Sequence, residues 1–243
     1  MRLLVFQFRN DITLQHERDC LERFIETEHA HFSVEFISFF DERDRLQDVD
    51  TLLRGVDRVI LGGSAGLYLA EGHEEHLVAM SHEAQEAMSL IIPEIIRRSI
   101  PLLGICFGHQ LIALHYGASV VFDPAQAETG FVEILLEHHA EDNDVLTQNI
   151  PHRFYSVMGH QDSVIDLPSQ AVVLAHSEKC GVEIVRYESR MVWGIQFHPE
   201  LTSEDFVYRL GLFPEYAEYA ETLHIEPAPH ARQILSHFLR LDD

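Results

Sequence analysis

The sequence predicts an α/β fold with a largely parallel central sheet covered on both faces. Two observations carry this. Over the first half of the chain, short apolar runs alternate with helix-like stretches, the β-α-β order that lays parallel strands under crossover helices. Two of those runs end in glycine-bearing segments, as expected where a strand turns toward a helix at the ligand-binding edge of an open sheet.

Arg2 to Phe8 is the first strand; a single basic residue precedes its apolar stretch and no small-residue cleavage site follows, so it does not read as a secretory signal. Leu14 to Thr27 reads as a helix, Ser33 to Ser38 alternates as a second strand, and Val56 to Leu61 is the third. His73 to Arg98 reads as a helical region that Pro93 is expected to kink or split, because proline removes a backbone donor and crowds the preceding turn. Leu102 to Ile105 is a fourth strand, followed by a helix from about Gly108 to Tyr116 that Gly117 closes. Shorter strands are expected around Ser119–Phe122, Phe131–Leu136, Phe154–Val157, Val172–His176, Cys180–Tyr187 and Met191–Phe197. Two or three helices then form a tail from Ser203 to Leu239.

The 243 residues are 46% hydrophobic, ample for one core, and no linker, repeat or low-complexity tract divides them, so residues 1–243 read as a single domain. The formal charge of −23 argues against a nucleic-acid partner, which needs clustered Lys and Arg; its plain consequence is solubility. No run of eighteen apolar residues predicts a membrane span. Cys20, Cys106 and Cys180 are an odd set without paired spacing, which fits free thiols in a reducing cytoplasm. Among seventeen histidines none falls in a His-Glu-x-x-His or zinc-type Cys/His pattern; solvated histidines are expected, with no metal site and no cofactor.

Chemistry concentrates in two segments. In Pro101-Leu102-Leu103-Gly104-Ile105-Cys106-Phe107-Gly108-His109-Gln110, an apolar strand ends at a cysteine flanked by glycines two positions before and after. Small residues there let the backbone turn sharply while the thiol is lifted clear of the sheet. At a helix N-terminus the macrodipole favours the thiolate, and free N–H groups can bind an oxyanion. The alternative for this stretch alone is a buried structural cysteine. The second segment is Val192-Trp193-Gly194-Ile195-Gln196-Phe197-His198-Pro199-Glu200. Pro199 pushes His198 to extended geometry, where residues two apart point the same way, so Glu200 can fix one ring nitrogen and leave the other for a thiol. Nucleophile, base and orienter are the logic of a catalytic triad.

With these residues in view, the sequence resembles the class I glutamine amidotransferases, nearest in pattern to the glutaminase domain of GMP synthase and its free-standing relatives. Gly104-Ile105-Cys106-Phe107-Gly108-His109-Gln110 matches the nucleophile motif, Phe197-His198-Pro199-Glu200 the base motif, and Leu61-Gly62-Gly63-Ser64 the oxyanion loop. The resemblance implies a flavodoxin-like three-layer sandwich and hydrolysis of the glutamine side-chain amide through a γ-glutamyl thioester, with ammonia released for an acceptor. It makes Cys106 the nucleophile, His198 the base and later acid, and Glu200 its orienter. It places the oxyanion hole at the N–H groups of Gly63 and Phe107, and the substrate's amino-acid end at Gln110 and at Gly159, His160, Gln161 and Asp162.

The pattern is departed from in places. Ser64 stands where many members have proline, and Gly159 and Gln161 replace the serine and glycine of a Ser-His-Gly-Asp stretch whose other two positions, His160 and Asp162, match. A bulky Gln161 reshapes the amino-acid end, so a second activity stays open: hydrolysis of a γ-glutamyl amide or peptide by the same triad. The synthetases of this family join the glutaminase to an acceptor-activating unit. This sequence carries no Walker-type phosphate loop, so such a partner would be a separate chain, or there is none.

Overall fold

Alternation builds the sheet from its first strand. In β1 (Arg2–Gln7), Leu3 and Val5 enter one apolar layer while Leu4 and Phe6 enter the other, as the two-residue period of a strand requires. The computed structural model describes residues 1–140, 144–187, 191–213 and 223–241. One layer packs β1 against α1 (Thr13–Glu28), through Leu21, Phe24 and Ile25, and against the last described helix, through Ala231, Ile234, Leu235 and Phe238. The opposite layer takes Ala84, Met88, Ile91, Ile92 and Ile95 of one long helix and Phe107, Leu111 and Ile112 of a shorter one. Helices therefore cover both faces, the three-layer arrangement expected.

β1 pairs in parallel with β2 (Ser33–Ser38) and β3 (Arg58–Leu61); β3 pairs in parallel with β4 (Leu102–Ile105). The last described strand, β11 (Val192–Ile195), returns to lie parallel beside β4, with Trp193 opposite Leu103 and Ile195 opposite Ile105. Beyond β11 the sheet continues antiparallel through β10 (Ile184–Arg186), β9 (Val172–His176), β6 (Glu128–Leu136) and β7 (Arg153–His160). The parallel half is what matters for function: β1, β3, β4 and β11 all deliver their carboxyl ends to one edge, where ligands of open α/β sheets bind. A separate two-stranded ribbon pairs β5 (Ser119–Phe122) with β8 (Asp162–Ile165).

Three local differences from expectation have physical causes. α2 is a single turn (Val49–Leu52), preceded by a 3-10 turn (Arg43–Gln47); both are too short to show helical periodicity. α3 (Glu75–Arg97) runs without a break through Pro93. The proline sits in the helix's last turns, where Ile91, Ile92 and Ile95 are all buried, so their packing offsets the lost backbone bond. β8 is hidden in the sequence because Asp162 reads as a turn residue, yet its strand is specified by a partner forty residues away, Phe122 facing Asp162. α4 (Phe107–His115) starts directly at the cysteine, and Gly117 takes the positive φ of 87° that ends it. In the tail, α5 (Ser203–Gly211) opens on a capping box of Thr202 and Asp205, and α6 (Pro229–Leu239) opens on Pro229. Residues 214–222 of the expected helical tail lie outside the described residues.

Candidate active site

The carboxyl edge of the parallel strands carries every residue singled out as reactive. Cys106 follows β4 with φ 51° and ψ −104°, a conformation L-residues adopt only under constraint. The constraint is steric. A Cβ on Gly104 would fall 2.5 Å from the Gly108 carbonyl, and one on Gly108 would fall 2.1 Å from the Leu61 carbonyl oxygen. Only glycine at both positions lets strand and helix close over β3. Cys106 N–H is anchored to the Ile195 carbonyl at 2.7 Å, and Gly108 N–H to the Gly62 carbonyl at 3.1 Å, which joins β11, β4 and the Gly62-Gly63 turn.

His198 and Glu200 follow β11. His198 Nδ1 donates to Glu200 Oε1 at 2.8 Å, and its backbone N–H donates to Val157 of β7 at 3.0 Å. Both side chains are buried. Burial works against the imidazolium, but the Glu200 charge and hydrogen bonds to Cys106 and Glu200 outweigh it and hold the ring up at about 9. Burial likewise works against the Glu200 carboxylate, and the His198 charge and hydrogen bond, with Arg209 beyond, pull it down to about 2. Arg209 of α5 lies 3.6 Å from Glu200 Oε1. The Cys106 side chain thus converges with a ring that Glu200 orients.

A point where Gly63 would carry a side chain shows how tightly these groups converge: it lies 2.9 Å from His198 Cε1 and 3.6 Å from Cys106 Cβ. Among the described residues, neither Gly63 N–H nor Phe107 N–H is drawn into a backbone hydrogen bond, and Phe107 lines the cavity. The cavity in front of Cys106 has a volume of about 370 Å³, and Gln110, Gly159, His160, Gln161 and Asp162 all line it.

The amino-acid end is more internally bonded than its motif suggests. Asp162 accepts from the backbone N–H groups of Leu69 (2.9 Å) and Ala70 (3.0 Å) and from His73 Nε2 (2.6 Å), which pins the loop after Gly63 across the cavity. His73 stacks on Tyr68, with ring centroids 3.8 Å apart, and so serves this loop. Gln110 Nε2 donates to the Asp162 carbonyl (3.1 Å) and to Gln196 (3.3 Å). Gln161 stays exposed and reaches the Tyr68 hydroxyl at 3.3 Å, while a Cβ on Gly159 would meet nothing within 4 Å. His160 donates to the Asp162 carbonyl and lies 3.5 Å from Glu128.

Sequence reading missed several participants. Arg9 and Arg209 line the cavity, Arg9 from the residues just past β1. A charged residue directly after an apolar strand at the ligand edge was the available signal. His109 is fully buried, not solvated; burial, with His160 nearby, pushes its ring down to about 3. Behind His160, burial and the neighbouring Glu128 push the Glu183 carboxyl well up.

Two sets of side chains have donor atoms within 4.8 Å of one another: His16 with Cys20 and Asp205, and His160 with Cys180 and Glu183. In the first, Arg23 already occupies Asp205 at 2.6 Å and burial pushes the Cys20 thiol up to about 12. In the second, burial raises both the Cys180 thiol and the Glu183 carboxyl. A raised thiol or carboxyl works against the deprotonated donor a metal requires.

The fold and the arrangement of its carboxyl edge are those of an α/β enzyme. A family model described as Glutamine amidotransferase class-I matches residues 25–210, and the chain belongs to that family, whose members are enzymes of amide-nitrogen transfer. Among curated relatives, it is 37% identical over 107 residues to the glutamine-hydrolyzing GMP synthase subunit from Methanocaldococcus jannaschii, covering 44% of this chain and 54% of that one. It is 39% identical over 120 residues to the protein of the same name from Thermococcus kodakarensis, covering 49% and 60%. The matched region thus spans little more than half the length of these relatives. Two solved structures share the fold: a glutamine amidotransferase from Thermotoga maritima (TM-score 0.70, 23% identity, 99% of this chain and 98% of that one) and one from Methylobacillus flagellatus (TM-score 0.63, 16%, 98% and 92%). Among the described residues, no helix is long and apolar enough to cross a membrane.

Proposed function

We propose that the chain hydrolyses the side-chain amide of glutamine through a Cys106 thioester and releases ammonia for an acceptor. The observation that carries this reading is the His198 ring, hydrogen-bonded through Nδ1 to Glu200 and beside Cys106 on its other side. The proton of the Cys106 thiol passes to His198, and the sulfur attacks the amide carbon. The carbonyl oxygen takes up the displaced electron pair and lies against the N–H groups of Gly63 and Phe107. As that pair returns, the C–N bond breaks and His198 gives its proton to the departing nitrogen, which leaves as ammonia. Water then attacks the thioester with His198 as base, glutamate departs, and the thiol is restored. Gln110 and the Gly159–Asp162 segment hold the amino-acid end.

The curated relatives are named as one glutamine-hydrolyzing component of GMP synthase, which supports a separate synthetase chain as the receiver of ammonia. The free thiols of Cys20, Cys106 and Cys180 support a cytoplasmic setting, and one core-bearing sheet supports a single catalytic domain.

A second reading, hydrolysis of a γ-glutamyl amide or peptide, is favoured by one observation. Leu201, Phe206, Leu210 and Phe213 line the cavity on the side of α5, directly after His198 and Glu200. The group leaving from a γ-glutamyl amide departs toward His198, so an apolar amine would find an apolar wall there. The test is direct: incubate the chain with glutamine and with γ-glutamyl dipeptides, and measure glutamate, ammonia and free amino acid against Cys106→Ala. Ammonia from glutamine supports the first reading. Dipeptide cleavage without glutamine turnover overturns it for the second.

A further inference from the structure

Arg9 is a buried cation at the reacting edge that the established family membership does not account for. It follows β1 and is only 3% exposed. Two of its three nitrogens are committed: Nε donates to Glu17 Oε1 at 3.0 Å, and Nη1 donates to the Thr13 hydroxyl at 2.9 Å. Glu17 and Thr13 are themselves buried on the first turns of α1, and Gln7 Nε2 donates to the other Glu17 oxygen at 3.0 Å. The guanidinium is therefore clamped in one orientation. Its remaining nitrogen, Nη2, makes no hydrogen bond among the described residues and lies 3.2 Å from the point where a Gly63 side chain would begin. That is the same point approached by His198 Cε1 and Cys106 Cβ.

We propose that Arg9 stabilises the thiolate of Cys106, with Nη2 as the group that faces the sulfur's negative charge. The proposal rests on the reading of Cys106 as nucleophile. The proton leaves the sulfur for His198; Arg9 keeps all of its own protons and contributes only charge and a donor. Geometry makes the assignment specific. A clamped guanidinium needs little reorganisation when charge develops beside it, which is the condition for strong electrostatic stabilisation in a buried site. Gly63 has a role here as well, since a side chain there would displace the imidazole and crowd the arginine.

Every charged neighbour of the sulfur must enter the pH behaviour. His198 and Glu200 come from the segment after β11, Arg9 from the end of β1 with Glu17 of α1 behind it, Arg209 from α5, and Glu183, whose carboxyl burial pushes up, from the approach to β10. Glu17 is already neutralised by Arg9, and Glu200 by His198. The free Nη2 of Arg9 lies at the point on which His198 Cε1 and Cys106 Cβ also converge.

The experiment measures alkylation of Cys106 by iodoacetamide from pH 5 to 10, read on the Cys106 peptide by mass spectrometry, in the parent chain, R9K, R9Q and the double variant R9Q/E17Q. The double variant removes both charges together, so no uncompensated carboxylate is left buried. Circular dichroism confirms folding. In R9Q/E17Q the midpoint of the alkylation profile should rise by about one pH unit, with a roughly tenfold slower reaction below it, and R9K should restore at least half of that shift. A structural role alone would change the melting temperature and leave the midpoint in place. An unchanged midpoint in a folded R9Q/E17Q chain overturns the proposal while Cys106 remains reactive. Failure of Cys106 to react faster than Cys20 and Cys180 in the parent chain overturns the nucleophile reading itself, and Arg9 with it.

Discussion

Nδ1 of His198 lies 2.8 Å from Oε1 of Glu200, and both side chains are shut away from solvent. A carboxylate buried at that distance holds the Nδ1 proton in place, which leaves Nε2 as the nitrogen that exchanges a proton with the sulfur. Glu200→Gln keeps the shape and removes the charge. General acid–base groups of this kind contribute about 10²–10⁴-fold, so kcat for ammonia release from glutamine should fall within that range with KM nearly unchanged. Steady-state kinetics decide it; a loss below fivefold would show that Glu200 does not orient the base.

The same pair gives stability a pH signature with a definite sign. His198 is held up at about 9 from an ordinary 6.5, so its contribution is complete below pH 6.5 and disappears as pH rises through 9. Glu200 is held down at about 2 from 4.5, so its contribution is complete above pH 4.5 and disappears as pH falls through 2. Both describe one interaction, at full strength from pH 4.5 to 6.5. The difference in unfolding free energy between the parent and Glu200→Gln should be largest in that window and shrink toward pH 9. Urea titrations across the range would expose a flat difference, which the pairing does not permit.

At Gly108 the demand is steric. An alanine methyl would stand 2.1 Å from the carbonyl oxygen of Leu61, a backbone atom of a fully buried strand that has nowhere to retreat. Gly108→Ala should cost about 3 kcal/mol or more in denaturant unfolding, whereas Gly55→Ala, whose new methyl meets nothing within 4 Å, should pay only for its positive φ of 67°. Equal losses at the two positions would mean that the elbow is looser than its contacts indicate.

These contacts explain how much could be read from sequence. Gly104, Cys106, Gly108, His198 and Glu200 were legible because each pair is local: the spacing that makes the chemistry is also the spacing along the chain. The parallel half of the sheet was legible for the same reason, through repeated apolar runs. Arg9 was not, because its importance comes from β1 lying next to β3, a pairing that brings residue 9 beside residue 63 without any shared motif. His73 and Asp162 meet across 89 positions, and no periodicity records that meeting. Pro93 misled in the opposite direction, since a strong local rule yielded to the burial of its isoleucine neighbours.

The Asp162 anchor separates binding from chemistry. Its carboxylate takes three donors from the loop that forms one wall of the cavity, and none from Cys106, His198 or Glu200. Asp162→Asn turns one acceptor oxygen into a donor facing other donors, so the backbone N–H groups of Leu69 and Ala70, or His73, lose a partner. A buried donor left unpaired costs about 1–3 kcal/mol, enough to populate an open loop in the free enzyme. Substrate then has to draw the loop back, which appears as a KM for glutamine raised about tenfold with kcat within threefold of the parent. His73→Ala, which removes one of the three donors and leaves the carboxylate paired with both backbone groups, should raise KM less. A variant in which kcat collapses at unchanged KM would place Asp162 in the chemical step and remove the distinction between wall and reacting edge.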